Sequence, residues 1–238
     1  LDASRPFVPF IIRDVGHLGA LGTVLATAAE EGRVAFICQV TQPVMAPAGT
    51  TRPVIGNNPV AFTAPRPNGP PLLFDFASSN VARGKIYAAV QAGERIPHGW
   101  AIDGEGHATD DPDAALLGSI LPAAGHKGVA LAMMVEVLAG ALTGAQPRVS
   151  ANGAPAGVGV FGFVCDGRAI AGDRFAAVMN AWTSDYEAGV GDHGRIPGSG
   201  AAAHRARVQR EGLALSPGLI RRLADFGRDA GVPFPAAR

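Results

Sequence analysis

Gly157-Val158-Gly159-Val160-Phe161-Gly162-Phe163-Val164-Cys165 is the stretch whose reading decides the fold. Its first six residues match G-x-G-x-x-G, a phosphate-cradling turn that must follow a strand and open a helix. Here the glycines run straight on into Phe163-Val164-Cys165, a β-favouring apolar run. We therefore read Val158 to Cys165 as a strand and reject it as a dinucleotide loop. A Walker lysine motif, paired zinc cysteines, H-E-x-x-H and G-x-S-x-G are all absent from the sequence. Kinase, zinc-hydrolase and serine-hydrolase chemistries lose their usual signatures with them.

Immediately upstream, Gly128 to Leu142 is apolar almost all round, which for a helix implies burial on every side. It opens with Gly125-His126-Lys127-Gly128. A helix start presents unpaired N–H groups and partial positive charge, so Lys127 there suits a phosphate, ribose or carboxylate. A solvated loop explains the same four residues equally well.

Further out, Phe7 to Ile12, Leu18 to Glu31 and Arg33 to Val40 read as strand, helix, strand. Pro43 to Pro71 is punctuated by proline and glycine around one short strand, Val60 to Ala64, and reads as a long loop system. Leu72 to Phe76 is a strand, and Ser78-Ser79-Asn80 can cap a helix from Val81 to Gln91. Thr109 to Asp113 looks like a capped helix start with Pro112 in its first turn. Asp173 to Glu187 is an amphipathic helix, and His204 to Glu211 and Pro217 to Gly231 are two surface helices.

His17, in Gly16-His17-Leu18-Gly19, falls where a strand ends and a helix begins, a common place for ligands in mixed α/β structures. A histidine can pass a proton near neutral pH, as carbonyl reduction or alcohol oxidation requires. A helix-capping histidine is the competing reading. Asp75 ends an apolar strand, where a carboxylate faces a site about as often as it caps the strand. His193 and His204 lie in polar segments and read as solvated.

The 238 residues provide ample length for a core, and with 47% hydrophobic and 17% charged residues the chain is globular. Twenty basic and twenty acidic residues cancel, leaving no field to draw nucleic acid or an anionic membrane, so a small-molecule partner is expected. Cys38 and Cys165 each sit in an apolar run and read as buried reduced thiols rather than a disulfide or metal pair. No apolar stretch is long enough to span a bilayer and no signal peptide is visible, which makes a cytoplasmic location the default. The chain opens Leu1-Asp2-Ala3 without methionine, so a natural N-terminus is expected upstream.

An ordered set of segments resembles the malate/L-lactate dehydrogenase type-2 family, which also includes ureidoglycolate, sulfolactate and cyclic-imine carboxylate reductases. The set comprises Gly16-His17-Leu18-Gly19-Ala20, Val44-Met45-Ala46-Pro47, Gly56-Asn57-Asn58-Pro59-Val60-Ala61-Phe62, and Phe74-Asp75-Phe76-Ala77-Ser78-Ser79 leading to Ala82-Arg83-Gly84-Lys85. It continues with Gly99-Trp100-Ala101, Thr109-Asp110-Asp111-Pro112, the Gly125-His126-Lys127-Gly128 turn with its helix, and Pro197-Gly198-Ser199. The resemblance implies an α/β fold of α+β type: a non-Rossmann nicotinamide-binding domain with a largely antiparallel sheet and flanking helices, in a homodimer.

By the same resemblance His17 matches the family's proton acceptor. Thr41, Asp75, Phe76, Ala77, Lys127, Gly198 and Ser199 match places that contact NAD or NADP. Residues 1–40 would end a substrate-side domain, 41–165 would form the cofactor domain around a buried central helix 128–142, and 166–238 a helical part packing back on the first. The implied reaction interconverts a 2-hydroxy and a 2-oxo acid, with reduction of a cyclic imine carboxylate as the alternative. The family's Ser-His-Gly segment, and an arginine that holds the substrate carboxylate, match nothing in this chain. A catalytically inactive binding or assembly subunit is therefore the third expectation. The connection from Gly144 to Val158 is also shorter than in relatives.

Overall fold

The computed structural model describes residues 5–146, 148–149, 155–232 and 234. In chain order the elements begin with β1 (Phe7–Val15), α1 (Leu21–Glu30), β2 (Val34–Gln39), β3 (Pro43–Met45), β4 (Ile55–Gly56), β5 (Val60–Ala64) and β6 (Leu72–Phe76). Next come α2 (Arg83–Ala92), β7 (Ala101–Ile102), β8 (Ala108–Thr109), α3 (Pro112–Leu117), β9 (Ser119–Ile120) and α4 (His126–Val135). The chain finishes with β10 (Arg148–Val149), β11 (Pro155–Ala156), β12 (Val158–Cys165), α5 (Gly167–Ala171), α6 (Arg174–Val190), α7 (Ser199–Glu211) and α8 (Pro217–Asp229). Two compact units result, Leu1–Ser199 and Gly200–Arg238.

The first sheet has the order β1-β12-β2-β5-β6 with every neighbouring pair antiparallel. β12 therefore separates β1 from β2, although those two are consecutive strands. The glycines of β12 have steric reasons. A Cβ on Gly162 would press on the Phe10 ring and the Phe36 carbonyl, and one on Gly159 would overlap the Ala139 carbonyl.

Alternation along the strands gives this sheet two apolar faces. Ala35, Ile37, Ala61 and Val160 point to one side and pack with Leu21 and Leu25 of α1. Cys38 and Val60 point to the other, with Val135 and Ala139 of α4 and its extension. α4 also serves a second core: Ala132 packs with Met45, Ile86, Ala101, Ala115 and Ile120.

That second core lies under a smaller sheet of order β4-β3-β9-β7-β8, in which only β3 and β9 run parallel. The segment expected to be a loop system thus contributes β3 and β4 as well as β5. Strands of two or three residues carry no readable period, which is why they escaped notice.

Two further expectations need correcting. The helix over 128–142 is not buried on every side: Met133 and Val137 are each 56% exposed, and Met134 and Leu142 are also exposed. Contact with two cores on two sides leaves a third side open. Beyond Val135 the helix widens through Ala141, with five-residue hydrogen bonds from Leu142 N to the Val137 carbonyl (2.9 Å) and from Ala145 N to the Gly140 carbonyl (3.0 Å). Lastly, α2 has Ala82 at its N-cap without a side-chain cap. Ser78 and Ser79 are buried and donate to the Asn57 and Val81 carbonyls instead.

Local signals elsewhere held. Asp111 accepts from Asp113 N at the start of α3, with Pro112 at the first helical position. Cys38 and Cys165 are free thiols; burial pushes Cys38 up to about 12, whereas Cys165 is only half-buried, against the expectation that both are buried. They lie on neighbouring strands, but Cys38 pairs with Phe161 and Cys165 with Val34. Four residues of offset is about 13 Å along a strand, beyond disulfide reach. Among the described residues no helix is long and apolar enough to cross a membrane.

Candidate active site

A cavity with a volume of about 620 Å³ opens beside the ends of β2 and β6 and the start of α1. Its wall includes His17, Thr41, Asp75, Phe76 and Ala77, five of the eight residues singled out from sequence. Strand ends converge here because β2, β5 and β6 are neighbours in the sheet, and the turn before α1 rises over the same edge.

His17 Nδ1 accepts a hydrogen bond from Gly19 N at 2.8 Å. In the neutral ring this contact keeps the proton on Nε2. The turn is fixed from below by Gln39, whose Nε2 donates to the Gly16 carbonyl at 2.9 Å. Gln39 is 1% exposed, and its Oε1 has no partner among the described residues.

Asp75 lies across the cavity entrance of α1. One carboxylate oxygen accepts from Gly22 N at 2.8 Å, so the carboxylate occupies the positive end of that helix. α1 has no side-chain cap of its own, and Asp75 supplies the missing acceptor from a different strand. Thr41 is held by the Asn57-Asn58 pair: its N–H donates to Asn58 Oδ1 at 2.9 Å, and its hydroxyl lies 3.0 Å from Asn57 Oδ1.

The other three expected residues stand apart from this wall. Lys127 is exposed in the first turn of α4 and does not line the cavity. Gly198 has φ +101° and packs on β6, where Leu73 N donates to the Pro197 carbonyl at 3.1 Å. Ser199 lines a shallow depression with Glu187, Val190 and Arg195.

The sequence reading missed Gln39, Gln42, Asn57, Arg83 and Tyr87 on the cavity wall. Arg83 donates to the Leu116 carbonyl at 3.1 Å, and its guanidinium lies 5.8 Å from the centre of the Tyr87 ring. Only the placement of Asn57 and Arg83 inside the resembling segments could have drawn attention to them. No cluster of three or more metal-ligating side chains occurs among the described residues.

Against known proteins, the family model described as Malate/L-lactate dehydrogenase matches residues 9–224. A (2R)-3-sulfolactate dehydrogenase (NADP(+)) of Chromohalobacter salexigens is 49% identical over 130 residues, covering 55% of this chain and 39% of that protein. A Delta(1)-pyrroline-2-carboxylate reductase of Pseudomonas fluorescens is 36% identical over 225 residues, covering 91% of this chain and 66% of that protein. This chain therefore spans less than two thirds of either relative. The crystal structure of delta1-piperideine-2-carboxylate reductase from Pseudomonas syringae superposes with a TM-score of 0.84 at 34% identity, covering 93% of this chain and 68% of that one. With a family match across nearly the whole chain and the same mixed α/β architecture, the chain belongs to the malate/L-lactate dehydrogenase family.

Proposed function

We propose that the chain carries the nicotinamide-binding and proton-transfer part of an oxidoreductase that interconverts a 2-hydroxy acid and a 2-oxo acid. The observation that carries this is the convergence of His17, Thr41, Asp75, Phe76 and Ala77 on one cavity. A volume of about 620 Å³ with apolar Val44, Pro59, Phe76 and Val158 beside a few polar groups suits a flat ring with polar substituents.

Thr41 and Asp75 to Ala77 would hold the nicotinamide end of NAD or NADP, with Lys127, Gly198 and Ser199 meeting other parts of the cofactor. When bound, the nicotinamide gives or takes the hydride. His17 gives a proton to the carbonyl oxygen on reduction and takes it back on oxidation. An imidazolium carries hydrogen on both nitrogens, so the Gly19 N–H contact to Nδ1 exists only in the neutral ring. Proton uptake at His17 therefore loosens the Gly16–Ala20 turn.

The cofactor would bind on an antiparallel sheet outside a Rossmann fold, in a cytoplasmic homodimer. The division into 1–40, 41–165 and 166–238 belongs to the same proposal. Reduction of a cyclic imine carboxylate is the second reading, favoured by the reductases among the relatives. A C=N bond asks for the same hydride and a similar proton.

The test is nicotinamide absorbance at a fixed enzyme concentration across a panel of 2-oxo acids and cyclic imines with NADH and NADPH. Turnover on one class assigns the substrate, whereas silence across the panel overturns both readings. Full turnover in His17→Ala removes the proton-transfer role.

A further inference from the structure

The network behind the cavity wall has a direction. Asn58 is fully buried at φ +28°, and its amide is engaged at both ends. Nδ2 donates to the Ala132 carbonyl (2.9 Å) and to Glu136 Oε1 (3.0 Å), while Oδ1 accepts from Thr41 N (2.9 Å). A carbonyl and a carboxylate only accept, so turning the amide over would set Oδ1 against two acceptors. Asn58 Oδ1 therefore has to face Thr41.

The Thr41 hydroxyl accepts from Asn58 N at 3.3 Å and has a single proton to give. Asn57 Oδ1 at 3.0 Å is the nearer acceptor, and Asn58 Oδ1 at 3.3 Å already receives the Thr41 N–H. Asn57 lines the cavity, and with its oxygen so used its amide nitrogen is the end left to meet a ligand. Glu136 begins the widened stretch of the α4 helix, the kind of bulge that recurs at functional sites.

We propose that Glu136 and Asn58 are positioning residues that set the hydrogen-bond polarity of this wall, so that Asn57 offers N–H to an accepting oxygen of the bound acid. The inference rests on the acid oxidoreductase reading above. The ligand group selected is a carboxylate or carbonyl oxygen, and an amide N–H in its place meets a donor.

The experiment follows the side-chain amide resonances of Asn57 and Asn58 by ¹H–¹⁵N NMR while the whole chain is titrated with oxalate and, separately, with NADH and NADPH. Oxalate is expected to move the Asn57 pair and leave the Asn58 pair in place. In Glu136→Ala the oxalate Kd rises about tenfold, the scale of a lost hydrogen bond to a charged group, and Glu136→Gln, which keeps an acceptor, restores most of it. An unmoved Asn57 pair in the wild type, or an unchanged Kd in a folded Glu136→Ala, overturns the proposal. If Glu136→Ala does not fold, Asn57→Leu decides, because it removes the donor and leaves the bonds of Asn58 to Thr41 N, the Ala132 carbonyl and Glu136 in place: the same loss supports the proposal and an unchanged Kd overturns it. If oxalate shifts Asn57 while neither dinucleotide binds, the nicotinamide reading fails and the polarity device stands.

Discussion

Two helices begin beside loops that the sequence marked as functional, and they begin differently. At α1 a carboxylate from β6 is docked on the helix start, with Asp75 accepting from Gly22 N at 2.8 Å. At α4 no acidic residue occupies the first turn and no side chain caps it. The approach is made instead by backbone alone, through Ala124 and Gly125 at positive φ and Gly128 N donating to the Ala123 carbonyl at 2.8 Å. One entrance has its positive end already neutralised and lies on the cavity wall. The other keeps an exposed lysine, and its Lys127 and Gly128 N–H groups are taken by the Ala124 and Ala123 carbonyls. A helix start is thus not by itself an anion site, since the protein can fill it from a neighbouring strand.

The largest effect should come from closing the gap that each entrance leaves for its glycine. A Cβ on Gly128 would overlap the Ser78 and Ala123 carbonyls, which are backbone and cannot move aside. Gly128→Ala should cost about 3 kcal/mol in urea unfolding. At the α1 entrance, a Cβ on Gly22 would lie 3.1 Å from Asp75 Cβ. Gly22→Ala should change stability by less than about 1 kcal/mol, because Ala's helix preference offsets the tight contact. Equal losses in the two variants would refute the contrast.

Next in size, Asp75→Ala strips α1 of its docked carboxylate and should cost about 1 kcal/mol by the same measurement. A smaller stability change is expected at the α4 entrance. Lys127→Ala should stay within about 0.5 kcal/mol of the wild type, since the side chain is exposed. Its effect should appear in NAD(P)H binding instead, as a roughly fivefold weaker Kd at low ionic strength that fades as salt is added. A loss that ignores salt would show that Lys127 acts by packing.

A third entrance sharpens the comparison by pH. Asp166 caps α5, and its carboxyl is held below the usual carboxylate range, first by the Ala169 N–H and then by Arg33, with burial opposing. A lowered folded pKa means stability that is complete above the ordinary carboxylate value and lost as pH falls through the folded one. Asp166→Asn should lower the thermal midpoint at neutral pH and flatten its decline on acidification. A decline parallel to the wild type would exclude Asp166 as a contributor.

Legibility followed range. Asp111 and Pro112 could be read because a cap and a first-turn proline act over three residues. Val158 to Cys165 could be read because an apolar run after small glycines has few alternatives, and it forms a strand over those residues. Ser78 and Ser79 misled, because both hydroxyls are spent on distant or buried carbonyls instead of the α2 start. His17 and Asp75 drew notice at strand ends, and Thr41, Phe76 and Ala77 through a family pattern, whereas Asn57, Arg83 and Tyr87 were not singled out on the cavity wall. Their side chains carry no local signal of facing a cavity whose walls come from six separate segments.

By itself the sequence determined that a helix starts at Asp111-Pro112 and that 157–162 is no phosphate loop, because those properties depend on neighbours a few residues away. Only the tertiary structure decided that β12 inserts between β1 and β2, that α4 is shared by two cores and open on its third side, and that Asp75 from β6 closes the α1 entrance while backbone carbonyls close that of α4. Each of those depends on which strands pair. Pairing is settled by the burial of whole faces rather than by any local run of residues.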